Sequence, residues 1–431
     1  MGLSSYTKQI ISLGLPAMIE NSLQMLLTVV DVYLVARISL TAVSAVSVAG
    51  NLIAVYQAVF IALGSAISSL VAKQVAREDK FGLDSISSQA LGLTLAVSLL
   101  MGLLSVVFGK ETLRLLGAEL EIAALGGIYL AWVGGTIFLL GLTVSLGAIL
   151  RARGQAKRPM YVSLLTNLLN VLLSAFAIFV LDMGIAGAAL GTVLARAAGL
   201  AVLWSKSQIR LSPFFWRIDR ELIRRSLPAI GERLIMRGGD ILVLGLVIGL
   251  GSDILAGDAV GETLIQFNYL PAFSIASATV ILTAKAQARR DSRAVEAVRR
   301  QSYRLSLLMM GLISASVLLF GPFLIALFTK DSQVSQISQQ TIIMSFVSLP
   351  MTAGTLIYTG LWQGLGRPKL PFYATAFGMV MRISLGAFLA FGLNLSYLGI
   401  LLGVTLDNLF RWLFLKTLYH KFYRRQFIHE T

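Results

Sequence analysis

The sequence has no cysteine and only two histidines, His420 and His429, both near its C-terminus. The lack of cysteine excludes a disulfide framework, a thiolate metal site and a cysteine nucleophile. Charged residues make up only 13% of the chain, against roughly 25% in soluble proteins, whereas 56% of the residues are hydrophobic. Mean hydropathy is +0.80. This composition excludes a soluble surface and indicates a polytopic membrane protein.

Acidic residues are also few, with 21 Asp and Glu against 36 Lys and Arg, a net charge of +15. The basic residues cluster between apolar runs of membrane-spanning length, which indicates membrane topology and not a nucleic-acid partner. Because a span needs ~20 apolar residues, the chain holds about twelve candidate spans. Most basic residues fall in inner loops when both termini are cytoplasmic. We therefore predict an all-α, multi-pass inner-membrane protein with twelve transmembrane helices.

The two halves of the chain repeat each other at a constant offset of 212 residues. LPAMIE at 15–20 matches LPAIGE at 227–232, and VAKQVARED at 71–79 matches TAKAQARRD at 283–291. Six spans per half give both repeats the same orientation in the membrane. The predicted domains are an N-terminal six-helix bundle (1–204), a cytoplasmic linker (205–225) and a C-terminal six-helix bundle with a basic cytoplasmic tail (226–431).

Two six-helix bundles related by a parallel repeat are typical of secondary transporters, in which the bundles rock about a central site. A membrane enzyme is the alternative from another class, and it has little support. The sequence shows no metal-spaced cluster, Gly-rich phosphate loop, nucleophile elbow or ATPase motif. We therefore expect a transporter with no cofactor and no metal site, driven by an ion gradient or a separate partner.

Several short motifs together resemble the multidrug and toxic compound extrusion (MATE) family. They are a first helix with Pro16, Gln24 and Asp31 followed by VSAVSVA, the two loops above, and the turns GQAKRP and GRPKLP. The resemblance covers nearly the whole chain and implies a V-shaped pair of bundles. It also implies alternating-access export of amphipathic, often cationic compounds in exchange for protons or sodium ions. We expect a monomer that contacts membrane lipid.

The first helix carries a polar stripe of Glu20, Gln24 and Asp31, whose spacings place them on one face. An intramembrane carboxylate is a functional candidate by default, although a buried acid that serves only packing is the alternative. The family resemblance marks Asp31 as the coupling carboxylate. It also marks its neighbours in the ion and substrate site, which are Gln24, Tyr129, Asn170 and Thr192. Ser174 stands where one family subgroup has a second acid, so the resemblance favours a proton over sodium.

The C-terminal half carries a second group of intramembrane charges, comprising Glu232, Arg233, Arg237, Asp240, Arg382, Asp407 and Arg411. Their spacings permit pairing, and we interpret them mainly as a structural salt-bridge network, with an anion-facing cavity as the alternative. Four arginines against three acids leave one positive charge in excess. This excess raises the alternative of a lipid-linked oligosaccharide or lipid flippase of the same superfamily. The acidic first-helix stripe favours drug export.

Overall fold

A computed structural model describes residues 5–209 and 218–424. Within these two ranges the chain forms thirteen α-helices and no β-strand. The helices are α1 Ser5–Ala36, α2 Leu40–Ala76, α3 Lys80–Leu115, α4 Leu120–Tyr129, α5 Phe138–Ala152, α6 Lys157–Phe179, α7 Gly184–Ser207, α8 Arg220–Ile248, α9 Ser252–Ala288, α10 Ser292–Ala326, α11 Ser332–Gly364, α12 Lys369–Ala387 and α13 Ser396–Leu418. Residues 210–217 of the predicted linker and 425–431 of the predicted tail lie outside the described residues.

Ten helical segments of the described chain are each long and apolar enough to cross a membrane. The pair Leu120–Gly134 and Phe138–Ala152, bent by 44°, makes an eleventh span if it crosses as one unit. The remaining long helix, α8, has 29 residues and is rich in charged side chains. Many large apolar side chains are exposed, as on α3, where Leu99, Leu103 and Val107 are all more than half accessible. An all-helical, multi-pass membrane protein, as predicted, is confirmed.

The backbone repeats at the offset found in the sequence. Helices α2 and α9 begin and end at positions 212 residues apart, and the bent segment from α4 to α5 has the same limits in this register as the continuous helix α11. The aspartates of the two repeated loops cap the next helix in the same way. Asp79 accepts the Gly82 N–H at 2.9 Å, and Asp291 accepts the Ala294 N–H at 2.8 Å. The two loops therefore specify the same turn.

Left-handed backbone positions recur at the same offset. Glu78 (φ 57°) corresponds to Arg290 (φ 55°), and Asp182 (φ 52°) corresponds to Asn394 (φ 55°). A residue other than glycine seldom adopts a positive φ, so chance agreement at these sites is improbable. The repeat thus extends from the sequence to the geometry of its connecting turns.

Contacts divide the chain into two compact units. One runs from Ile19 to Ser226, and the other joins the chain up to Met18 to the residues from Leu227 onwards. In the first unit, α6 and α7 approach closely at Gly191, where a Cβ would lie 2.3 Å from Ser174 Oγ. In the second, α12 and α13 approach closely at Gly399, where a Cβ would lie 2.4 Å from the Ala390 nitrogen. Glycine permits both contacts, as is common between membrane helices.

Candidate functional site

The close contact between α6 and α7 buries a pair of polar side chains. Asn170 Nδ2 donates to Thr192 Oγ1 at 2.9 Å, and Thr192 Oγ1 donates to the Ala188 carbonyl at 3.0 Å. The two residues are 2% and 6% exposed. The second polar atom of the amide, Asn170 Oδ1, is buried and accepts no hydrogen bond from the described residues. This oxygen is therefore available to a ligand that donates a proton or carries positive charge.

Two further predicted residues join this pair. Tyr129 is the last residue of α4, directly before the π-helical segment Leu130–Gly134, and it is hydrogen-bonded to Thr192. Ser174 lies one turn beyond Asn170, and its hydroxyl donates to the Ala188 carbonyl at 3.4 Å. A π-helical turn is a frequent feature of functional sites because it redirects the neighbouring side chains. The structure thus brings together four of the residues that the family resemblance marks.

Asp31 of α1 is half-buried, and its charge acts on Tyr129, which connects it electrostatically with the cluster. Among residues 5–209 and 218–424 its carboxylate has no hydrogen-bond partner and no ion pair within 4.0 Å. A carboxylate that is expensive to bury and that no other side chain binds is unusual for a purely structural residue. Asp31 is therefore free to bind a cation or a proton.

The other members of the predicted α1 stripe have partners of their own. Gln24 Oε1 accepts a hydrogen bond from Gln57 Nε2 at 3.3 Å. Glu20 forms an ion pair with Arg151 of α5, with Nη1 2.9 Å from Oε2. Glu20 also lies ~16 Å from Asp31 along the helix axis, at ~1.5 Å per residue. The stripe therefore contains one unpaired carboxylate, Asp31, and one that is neutralised within the protein.

Sequence reasoning missed Arg196, which follows Thr192 by one helical turn on the same face of α7. Its charge acts on both Asp31 and Tyr129. The side chain is half-buried, and Nη1 is buried without an acceptor in the described part of the chain. The spacing of four residues from Thr192 was the signal in the sequence that pointed to this arginine.

Two of the predicted charge pairs form in the C-terminal unit. Arg382 Nη1 donates to Asp240 Oδ1 at 3.1 Å and joins α12 to α8. Arg411 Nη2 donates to Asp407 Oδ2 at 2.8 Å, and Asp407 is fully buried. Helix α12 passes this second pair at Gly378.

The remaining residues of the predicted C-terminal group have other surroundings. Buried Glu232 accepts a hydrogen bond from Gln363 Nε2 at 3.2 Å, and the charges of Arg233 and Arg411 act on it. The Arg233 guanidinium lies over the Phe273 ring, 5.6 Å from its centroid. Arg237 is exposed. The group is therefore a set of separate contacts.

Two acids of α9 were absent from the sequence-based charge count. Tyr397 Oη donates to Asp258 Oδ1 at 2.6 Å, and Glu262 follows Asp258 by one turn. The charge of Arg382 acts on both carboxyls. Their spacing of four residues within a span-length helix was visible in the sequence. With them the group contains five acids and four arginines, so the predicted positive excess becomes an excess of one negative charge.

The fold and the polar cluster define a class of protein, the multi-pass membrane transporters built from two repeats. The family model MatE matches residues 16–176 and again 228–388, two segments offset by the same 212 residues. These matches cover most of the chain, which therefore belongs to the MATE family of multidrug efflux transporters. Within the described residues no group of three acidic or histidine side chains is arranged to hold a metal ion.

Known proteins resemble the chain over most of its length. The probable multidrug resistance protein NorM of Thermotoga maritima is 26% identical over 94% of this chain and 90% of its own. The multidrug export protein MepA of Staphylococcus aureus is 23% identical over 84% of this chain and 82% of its own. A crystal structure of MATE in the bent conformation has a TM-score of 0.89 at 21% identity, covering 95% of this chain and 94% of that one. The structural likeness supports the fold.

Proposed function

We propose that this MATE transporter is a cation-coupled antiporter that exports amphipathic, cationic organic compounds by alternating access. The observation that carries the proposal is the unpaired Asp31 carboxylate beside the buried Tyr129, Asn170 and Thr192 cluster. When ionised, Asp31 attracts a cationic substrate. Protonation removes that charge, so binding of a proton and release of the substrate are coupled.

The ion that we favour is the proton. A sodium ion needs several oxygen ligands, whereas a proton needs one basic group. Ser174 replaces a second acid, and its hydroxyl is already bound to the Ala188 carbonyl. Arg196 adds a positive charge near Asp31, which disfavours a second bound cation. These features support proton coupling, with no cofactor and no bound metal.

Topology and domain limits are part of the same proposal. We place the chain in the inner membrane with both termini cytoplasmic, because this orientation puts most Lys and Arg residues in inner loops. The moving bodies are the bundles 1–204 and 226–431, with 205–225 as the linker. The transporter acts as a monomer within membrane lipid, has no nucleic-acid partner and is not an enzyme.

The C-terminal charges are proposed to stabilise their bundle. The Arg382–Asp240 and Arg411–Asp407 pairs support this role, because each arginine that loses its partner leaves a charge in an apolar environment. The flippase alternative rested on a surplus of arginine. Asp258 and Glu262 reverse the sign of that surplus, and we therefore favour export of cations.

The experiment is transport of ethidium, a fluorescent organic cation, into proteoliposomes under an imposed pH gradient and, separately, an imposed sodium gradient. We expect the pH gradient to drive accumulation and the sodium gradient to have no effect at fixed pH. Uptake driven by sodium alone would replace the proton in the proposal. No ethidium transport under either gradient, together with flipping of a fluorescent phospholipid, would contradict cation export and support the flippase.

A further inference from the structure

Arg196 is a permanent positive charge placed next to the candidate coupling carboxylate. A guanidinium does not lose its proton in a protein, so its charge is fixed at every working pH. It lies on the face of α7 that carries Thr192, which is bonded to both Asn170 and Tyr129. The residues around Asp31 therefore include one fixed cation as well as polar neighbours.

The repeat supplies an internal comparison for this pair. In each unit a first-helix aspartate interacts with an arginine of the last two helices, Asp31 with Arg196 and Asp240 with Arg382. The C-terminal pair is closed, with 3.1 Å between Nη1 and Oδ1. The N-terminal pair has no N···O distance within 4.0 Å. Arg196 thus balances the charge of Asp31 without occupying its carboxylate.

Two buried polar atoms mark the space beside this pair. Asn170 Oδ1 lacks a donor and Arg196 Nη1 lacks an acceptor within the described ranges. Asn170 is 2% exposed, so its free oxygen does not face bulk solvent. Leaving both atoms unpaired is costly, which indicates a cluster that binds something polar during its working cycle.

We propose that Arg196 is the charge-selectivity residue of the N-terminal cluster, a built-in cation that balances ionised Asp31 and repels a cationic substrate once Asp31 is neutral. The local charge then changes from zero to positive on protonation, where an uncharged residue at 196 would change it from negative to zero. Unloading is driven by repulsion as well as by the loss of attraction. This role deepens the function proposed for Asp31 and rests on it for the direction of transport.

The test uses two probes of nearly the same size and shape but opposite charge, tetraphenylphosphonium and tetraphenylborate. Their equilibrium binding to the purified full-length transporter is measured without any gradient. Arg196→Met should bind tetraphenylphosphonium about tenfold more tightly, because a nearby unit charge of like sign has been removed. Arg196→Lys keeps the charge and should bind both probes as the wild type does. Arg37→Met, which removes an exposed arginine bonded to Tyr33, is the control for the loss of one positive charge.

Asp31→Asn provides the mirror experiment. It leaves Arg196 unbalanced and should bind tetraphenylborate about tenfold more tightly. Adding Arg196→Met to Asp31→Asn should abolish that gain. If Arg196→Met is not monodisperse, Arg196→Gln replaces it throughout. Unchanged tetraphenylphosphonium binding in the neutral variant, or a tetraphenylborate gain that persists in the double variant, would overturn the proposal.

The binding assay separates this proposal from the proposed antiport. Since no gradient is used, absence of gradient-driven ethidium transport would contradict the antiport and would not alter the binding result. Gradient-driven transport that depends on Asp31, together with probe binding that does not depend on the charge at 196, would contradict the role of Arg196 alone.

Discussion

Arg151 Nη1 lies 2.9 Å from Glu20 Oε2, and this ion pair joins α5 to α1. The repeat places Gln363 and Glu232 at the equivalent two positions, where Gln363 Nε2 donates to Glu232 Oε2 at 3.2 Å. The contact has therefore been kept in both units while its charge has changed. An acid four residues after a helical proline is held in each unit by a side chain from the helix that ends the fourth span of that repeat.

Exchange of these partners tests whether the contact is structural. Arg151→Met leaves the largely buried Glu20 carboxylate without its partner and should destabilise the unit by ~3 kcal/mol. Arg151→Gln copies the C-terminal version and should retain more than half of the lost stability. The measurement is thermal unfolding in detergent, followed by tryptophan fluorescence. Equal melting temperatures for wild type and both variants would show that the ion pair contributes nothing.

Gly378 gives a second prediction, which concerns the space around the Asp407–Arg411 pair. A Cβ at residue 378 would lie 2.1 Å from Asp407 Oδ1 and 2.9 Å from Arg411 Cγ. Gly378→Ala should therefore destabilise the protein by about 1–3 kcal/mol through overpacking. Gly311→Ala is the matched control, because a Cβ there meets no atom within 4 Å and alanine favours helix. A melting temperature for Gly378→Ala at or above that of Gly311→Ala would contradict the tight approach of α12.

Acidification tests an ion-pair group at the start of α8, before the predicted seventh span. Partial burial raises the pKa of Glu221, but the charges of Arg225, Lys73 and Arg224 outweigh it, so the pKa lies below its usual value of 4.5. A lowered pKa means that ionised Glu221 stabilises the folded state at neutral pH, and that this stabilisation is lost as pH falls through the pKa of the folded state.

The measurement compares the melting temperatures of wild type and Glu221→Gln as a function of pH. The wild type should melt at the higher temperature near pH 7, and the difference should shrink as the pH falls below 4.5. Glu78→Gln, a change at an acid for which the structure shows no ion pair, serves as the control. A difference that grows on acidification would contradict the sign of the pKa shift.

Much of the fold follows from the sequence because the repeat is written in its loops. VAKQVARED and TAKAQARRD set the register, and Asp79 and Asp291 then cap α3 and α10 alike. The π-helical segment after Tyr129 does not follow in this way. The equivalent stretch of the second repeat, within α11, is a regular helix, so packing and not the helical pattern decides between the two.

The candidate site was predictable where it rests on family motifs and was missed where it rests on contacts. Tyr129, Asn170, Ser174 and Thr192 follow from the resemblance, and the structure brings them together. The role of Arg196 depends on which helix faces α1, and spacing within one helix cannot supply that information. Asp258 and Glu262 show the same limit, because their partners, Tyr397 and Arg382, lie on other helices.

Gradient-driven ethidium transport by Asp31→Asn tests the central claim most directly. Asp182→Asn is the matched control, since it makes the same chemical change at an exposed turn whose φ of 52° asparagine also accepts. We expect the control to accumulate ethidium as the wild type does, and Asp31→Asn to lose accumulation driven by the pH gradient while it remains folded and monodisperse. Undiminished, pH-driven accumulation by Asp31→Asn would contradict the assignment of Asp31 as the coupling carboxylate.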